Sequence, residues 1–301
     1  MLVKNFYSNG KLLLTGEYLV LDGAISLAVP SKYGQDLTVE MIKLPYLIWE
    51  SFDEIGNQWF LSKIELPTLK PDANNKIAST LLNILKVAQN LNPEFLSDGF
   101  GFHVKTKLSF PTNWGLGTSS TLINNIAQWA NIDAYDLLKN SFGGSGYDIA
   151  CAQNNGPVIY QLVDERPSIK VVKFNPSFID QLYFVYLKKK QDSKEGIRKY
   201  REFKGDTLAL AHEISQLTMQ VLNCTDLTDF ENILAEHEKL VSGIVQQRPV
   251  QLELFPDYFG QTKSLGAWGG DFILATGNKD TPNYFKNKGF ETVIAYQDMI
   301  L

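Results

Sequence analysis

Apolar and polar positions along this chain of 301 residues change period in a readable order. Residues 11–21 form an apolar run interrupted by Gly16-Glu17. Residues 36–42 and 46–52 alternate as strands do, across a connection containing Pro45, and 59–61 extends that β-rich start. Between 75 and 90 the period lengthens: Ile77, Leu81, Leu85 and Ala88 recur at helical spacing. A strand is predicted over 102–110, a glycine-rich turn follows, and a helical run covers 121–130. Residues 148–153 can open another helix, and 157–162 reads as a strand.

The polar, proline-ended stretch Val163-Asp164-Glu165-Arg166-Pro167 predicts a domain boundary, giving domains 1–165 and 166–301. Beyond it the expected elements are a strand at 181–187, helices at 207–222 and 227–246, a strand at 272–276, a short helix at 282–289 and a last strand at 292–296. An antiparallel sheet with helices on one face fits that order, so the class is α+β.

Composition narrows the function. With 44% hydrophobic residues the chain can bury a substantial core. A net charge of −5 argues against nucleic-acid partners, which select basic surfaces. Cys151 and Cys224 do not form a disulfide framework, and His103, His212 and His237 are too scattered for a zinc site. No run approaches the roughly 20 apolar residues that span a bilayer, and the start lacks a signal-peptide run. No membrane partner and a cytoplasmic location are the expectations. Trp49, Trp59 and Trp129 are open to core or interface roles, so a homodimer is compatible with the sequence.

The densest chemistry lies in Pro111-Thr112-Asn113-Trp114-Gly115-Leu116-Gly117-Thr118-Ser119-Ser120, between a predicted strand and a predicted helix. Glycines let backbone approach an anion. The open N–H groups of a first helical turn point at it, and the helix dipole favours negative charge. Thr118, Ser119 and Ser120 add hydroxyls for phosphate oxygens or Mg2+. A plain corner capped by Ser or Thr is the alternative. A Walker loop needs Lys where Thr118 stands. A dinucleotide fingerprint could use Ser120 with Asp133 or Asp136, but 141–148 is glycine-rich instead of a second strand.

Three further segments bear on this. They are Gly10-Lys11-Leu12-Leu13-Leu14-Thr15-Gly16-Glu17-Tyr18-Leu19-Val20-Leu21-Asp22-Gly23, Gly143-Gly144-Ser145-Gly146-Tyr147-Asp148-Ile149-Ala150, and Ser264-Leu265-Gly266-Ala267-Trp268-Gly269-Gly270-Asp271. In order and spacing the chain resembles the GHMP kinase superfamily (galactokinase, homoserine kinase, mevalonate kinase, phosphomevalonate kinase) over nearly its whole length. The first and second of these segments look most like phosphomevalonate kinases. Mevalonate kinases usually carry His where Tyr18 stands.

The resemblance implies a two-domain fold: an N-terminal α/β nucleotide-binding domain and a C-terminal ferredoxin-like domain. It implies a small-molecule kinase using ATP and Mg2+, with phosphomevalonate before mevalonate as acceptor. A sugar or amino-acid alcohol acceptor, or a non-catalytic nucleotide- or metabolite-binding regulator, are the alternatives. Gly115, Leu116, Gly117, Thr118, Ser119 and Ser120 would hold the ATP phosphates. Asp148 and Lys11 would be catalytic, the lysine lowering the carboxylate's pKa. Glu17, Tyr18, Ser145 and Gly146 would lie on the substrate side. Ser120, or Ser119, would contact the metal.

Two departures stand out. The metal-binding Glu that mevalonate kinases usually carry has no counterpart, since no Glu occurs between Pro111 and Tyr147; Asp136 is the nearest replacement and Asp133 another. The segment 121–147 is also short for the family. Trp268 stands where relatives have a small residue, and either narrows the pocket or packs beneath the loop. Asp22-Gly23 predicts a tight turn. Lys188, Lys189, Lys190, Lys194 and Arg198 are candidate cations for a phosphorylated acceptor, or a solvated charge run.

Overall fold

The computed structural model describes residues 3–72, 75–97, 99–189 and 193–301, with only the backbone at 193 and 194. Two compact units emerge. The first comprises residues up to Gly10, Tyr33–Thr112 and Leu116–Gln153; the second comprises Lys11–Lys32, Asn113–Gly115 and Asn154–Leu301. The expected cut at residue 165 is therefore replaced by an interleaved division. Strand β1 (Val3–Leu13) passes out of the first unit after Gly10, and β2 (Ser26–Ile42) passes into it after Lys32.

In the first unit, β3 (Tyr46–Phe52), β4 (Gln58–Glu65) and β5 (Lys70–Pro71) follow β2. Then come α1 (Lys76–Leu91), β6 (Gly101–Leu108), α2 (Thr118–Ala130), α3 (Ala134–Ser141) and α4 (Tyr147–Gln153). The strand order is β5-β4-β3-β6-β2; β3 runs parallel to β6 and the other pairs are antiparallel. Alternation buries Leu47 and Trp49 on β3 and Phe60 and Ile64 on β4 against α1 and α2 residues, including Leu81, Leu85, Ile123 and Ile126. Asn75 caps α1, accepting from the Ala78 N–H at 2.9 Å. Ile77, expected on the buried face, is exposed; Ala78 takes the inward position. Of the three tryptophans, Trp49 is core, Trp129 is half-buried and Trp59 is exposed. Helix α3 was not anticipated; Asp133 caps it by accepting from the N–H groups of Tyr135 and Asp136.

In the second unit, Ser26–Ala28 of β2 pairs with β7 (Val158–Val163), which pairs with β8 (Arg166–Val171). A separate sheet uses β9 (Leu182–Tyr186), β10 (Thr262–Ser264), β11 (Phe272–Thr276) and β12 (Val293–Ala295), in the antiparallel order β10-β11-β9-β12. Between β9 and β10 lie α5 (Ser193–Glu202), α6 (Thr207–Asn223), α7 (Leu227–Val245) and α8 (Val250–Leu254); α9 (Thr281–Asn287) joins β11 to β12, and α10 (Tyr296–Met299) follows. Strand, helices, two strands, helix, strand, with the first and last strands adjacent, is the ferredoxin-like arrangement. Asp206 and Asp226 cap α6 and α7 through their carboxylates. No described helix is long and apolar enough to cross a membrane.

Candidate functional site

In the first unit, the strand β6 delivers the glycine-rich turn to α2. Gly117 is the N-cap, in the left-handed region at φ 92°, and no side chain caps the helix. The Ser- or Thr-capped corner is thereby set aside: a glycine opens α2 and leaves its first-turn N–H groups without a side-chain partner. The Ser120 hydroxyl turns back to donate to the Gly117 carbonyl at 2.9 Å, and Thr121 donates to Gln35 Oε1 at 2.7 Å. These bonds rigidify the turn from behind. Ser119 is exposed and Ser120 is buried, so Ser119 is the more accessible hydroxyl.

Asp148 lies half-buried in the first turn of α4, after the Gly143–Gly146 turn, whose Gly143, Gly144 and Gly146 all have positive φ. Ser145 is half-buried and Gly146 is buried. Helix α4 is tied to α2 by the Gln153 amide donating to Asn124 Oδ1 at 3.0 Å.

Asp136 does not join this group. It is exposed in the first turn of α3, which begins where α2 ends. From Ser120 to Ala130 the helix rises roughly 15 Å, so Ser120 and Asp136 sit at opposite ends of α2 and cannot share one ion. Among the described residues, no group of three or more His, Cys, Asp or Glu could hold a metal. Mg2+ at phosphoryl-transfer sites uses one or two carboxylates plus substrate phosphates. A helix opening without a side-chain cap, beside an exposed Ser119, fits that smaller donor set.

The second unit holds Lys11, half-buried near the end of β1, and the corner that follows it. Glu17, expected on the substrate side, has no solvent-exposed surface. Its Oε1 accepts from Lys263 Nζ at 2.5 Å, and Lys263 is equally buried. A carboxylate so enclosed has no face left for a soluble acceptor. Tyr18 is likewise withdrawn: it stacks on Tyr200 with centroids 5.8 Å apart and donates its hydroxyl to the Ala267 carbonyl at 2.7 Å. Trp268 packs in the same core, beneath the third glycine-rich turn. Asp22 ends the corner in a turn closed by Gly23 at φ 84° and accepts from Arg201 at 2.8 Å and from the Tyr200 hydroxyl.

Sequence reading missed the partners of Glu17. His237 and Glu238, adjacent on α7, are both buried. The Gly16 N–H donates to His237 Nε2 at 3.1 Å, which fixes the imidazole as the neutral Nδ1–H form. Burial, then the Lys263 charge, pushes the His237 pKa well down. Glu17 Oε2 is 3.4 Å from that same lone-pair nitrogen; with a neutral imidazole this is not an ion pair. Burial raises the Glu17 pKa against the opposing Lys263 charge. Glu238 accepts from the Ser264 N–H at 2.9 Å, and burial pushes its pKa up to about 8. One cation thus serves two carboxylates. The available signal was a charge inside an apolar run, which demands a partner.

Of the candidate cations, Lys188 and Lys189 are exposed, and Arg198 pairs with Glu202 at 2.6 Å along α5. Lys190 and the Lys194 side chain lie outside the described residues.

The fold is that of the GHMP kinases. The mevalonate kinase of Methanococcus jannaschii superposes with a TM-score of 0.71 at 15% identity, covering 96% of both chains. The phosphomevalonate kinase of Streptococcus pneumoniae, in complex with phosphomevalonate and AMPPNP, gives 0.69 at 16% identity over 95% of each. The galactokinase of Lactococcus lactis, complexed with galactose, gives 0.64 at 12% identity over 95% of this chain and 88% of that one. No family model and no curated protein matches the chain by sequence.

Proposed function

We propose that the chain is an ATP- and Mg2+-dependent small-molecule kinase, with phosphomevalonate preferred to mevalonate as acceptor. The observation behind this reading is the opening of α2: a left-handed Gly117 cap, no side-chain cap and an exposed Ser119. That is anion-binding geometry. In the proposal, the backbone from Gly115 to Ser120 binds the nucleotide phosphates, and Ser119 or Ser120 offers its oxygen to Mg2+. The ion, when bound, supplies charge neutralisation of the transferring phosphoryl group.

Asp148 is proposed to orient the acceptor, and to take its proton where the acceptor is an alcohol, and Lys11 to be the catalytic cation. Ser145 and Gly146 are assigned to the acceptor side. Glu17 and Tyr18 are assigned to holding the Gly16–Asp22 corner in place. Fold likeness at this identity does not choose the acceptor; the preference for phosphomevalonate rests on the resemblance of the Lys11–Asp22 and Gly144–Ala150 motifs.

The test is ADP release by the purified protein with Mg-ATP against mevalonate, phosphomevalonate, sugars and amino-acid alcohols. Turnover with phosphomevalonate, reduced in Asp148→Asn, is the expected result. Turnover only with a sugar or amino-acid alcohol would keep the kinase and replace the acceptor. Nucleotide binding without turnover on any acceptor would favour a regulator on the same fold.

A further inference from the structure

Away from the glycine-opened turn, at the C-terminal end of α2, the first unit holds a cavity of about 360 Å3. That size is at the small end of the roughly 300–1,000 Å3 that small-molecule sites occupy. None of the residues assigned above to nucleotide, metal or acceptor lines it. Its apolar wall is aromatic. Trp129, half-buried, meets Phe95 at 4.8 Å and Phe102 at 5.5 Å between centroids, edge to face in both cases. Met41 stands opposite Phe102 across β2 and β6 and carries that wall out to solvent.

The polar wall is fixed by one side chain. Asn92, which ends α1, donates its amide to the Ala130 carbonyl at 2.7 Å and accepts from the Glu94 N–H at 3.1 Å. The ends of α1 and α2 are thereby tied together with Glu94 beside them, and all three border the cavity. Each helix C-terminus carries about half a negative charge. Neither last turn has a basic residue to offset it. Among the described residues, the charged side chains lining the cavity are Glu94 and Lys4, both exposed. Their charges cancel, and the helix ends leave an excess of about one negative charge.

An aromatic wall in a negative potential suits an organic cation, whose charge is also drawn to an indole or phenyl face. We propose that this cavity binds a small ammonium compound with an apolar body. Glu94 and the two helix ends hold its charge, and Trp129 packs on its body. Such a site stands apart from the glycine-opened turn, at the opposite end of a helix of 13 residues.

The experiment is titration calorimetry of the full chain at low salt with three probes of similar shape: phenethylammonium, 2-phenylethanol and 3-phenylpropionate. The cation should bind about tenfold tighter than the alcohol, and the anion weakest of the three. Glu94→Gln, at an exposed position, should weaken the cation roughly threefold without changing alcohol affinity or melting temperature. Lys4→Gln should strengthen the cation by a similar factor. Met41→Trp, which fills the cavity from its exposed edge, should abolish binding of cation and alcohol alike. Phenylpropionate binding more tightly than the cation overturns the proposal. So does a cation affinity untouched by Glu94→Gln or by Met41→Trp, or a wild type that binds none of the probes. Nucleotide binding, expected unchanged in all of these variants, keeps this outcome separate from that of the kinase proposal.

Discussion

Lys263 Nζ and Glu17 Oε1 lie 2.5 Å apart with neither side chain exposed, joining β10 to the corner after β1. Removing one partner of such a pair strands a buried charge, at a cost of about 3–5 kcal/mol. Lys263→Met is therefore expected to destabilise strongly in chemical denaturation. Adding Glu17→Gln should recover a large part of that loss. A double-mutant cycle checks this, and additive losses would show that the two groups are uncoupled.

Glu238 gives the cluster a pH signature. Burial pushes its folded pKa up to about 8, above the ordinary glutamate value of 4.5. The folded state then holds a proton that the unfolded state releases, so stability is full below pH 4.5 and falls as pH rises towards 8. Glu238→Gln removes that slope. The melting temperature of the variant relative to wild type should rise steadily from pH 5 to pH 8. His237 works in the other direction: its depressed pKa gives stability present above pH 6.5 and lost as pH falls. A flat difference between Glu238→Gln and wild type across that range would place the Glu238 proton elsewhere.

Gly16 sets how tightly the corner closes. At φ 94°, a Cβ there would meet Ser26 Oγ at 2.0 Å and Ser26 Cβ at 2.6 Å. Gly16→Ala is expected to cost about 2 kcal/mol or more. Ser26→Gly in the same background should return the steric part and leave the backbone part. Thermal denaturation of the single and double variants separates them.

Asp148→Asn tests the chemistry. With an alcohol acceptor, loss of a general base lowers kcat roughly a hundredfold or more. A loss below about tenfold, about 1.4 kcal/mol of barrier, would indicate an acceptor that is already ionised, as a phosphate is. Steady-state kinetics with each acceptor, alongside an unchanged melting temperature, distinguishes the two.

Asp136→Asn is the counterpart. Its exposure, a helix length from Ser120, predicts unchanged Mg2+ dependence and a stability change within about 0.5 kcal/mol. A raised Mg2+ requirement in this variant would restore the metal role that its position denies.

The local elements were legible because their signals are local. Period-2 and period-3.6 patterns placed β3, α1, α2, α6, α7 and β11 close to their observed bounds, and the glycine-rich turn before α2 announced its backbone conformation. Short elements with weak patterns, α3, α5, α8, β8 and β10, did not. Ile77 shows the limit of periodicity alone: it shares spacing with the buried face of α1, yet Ala78 points inward, because the rotation of a helix is set by what it packs on.

The chain by itself determined an α+β fold and the glycine-opened turn before α2, since glycine placement and hydrophobic period are properties of neighbouring residues. Tertiary structure alone decided which charges are free to act. Glu17 looked available in sequence and is consumed by Lys263, 246 positions away; Asp136 looked like a metal ligand and sits at the wrong end of α2. Burial and pairing energies depend on groups distant in sequence, and no local pattern encodes them.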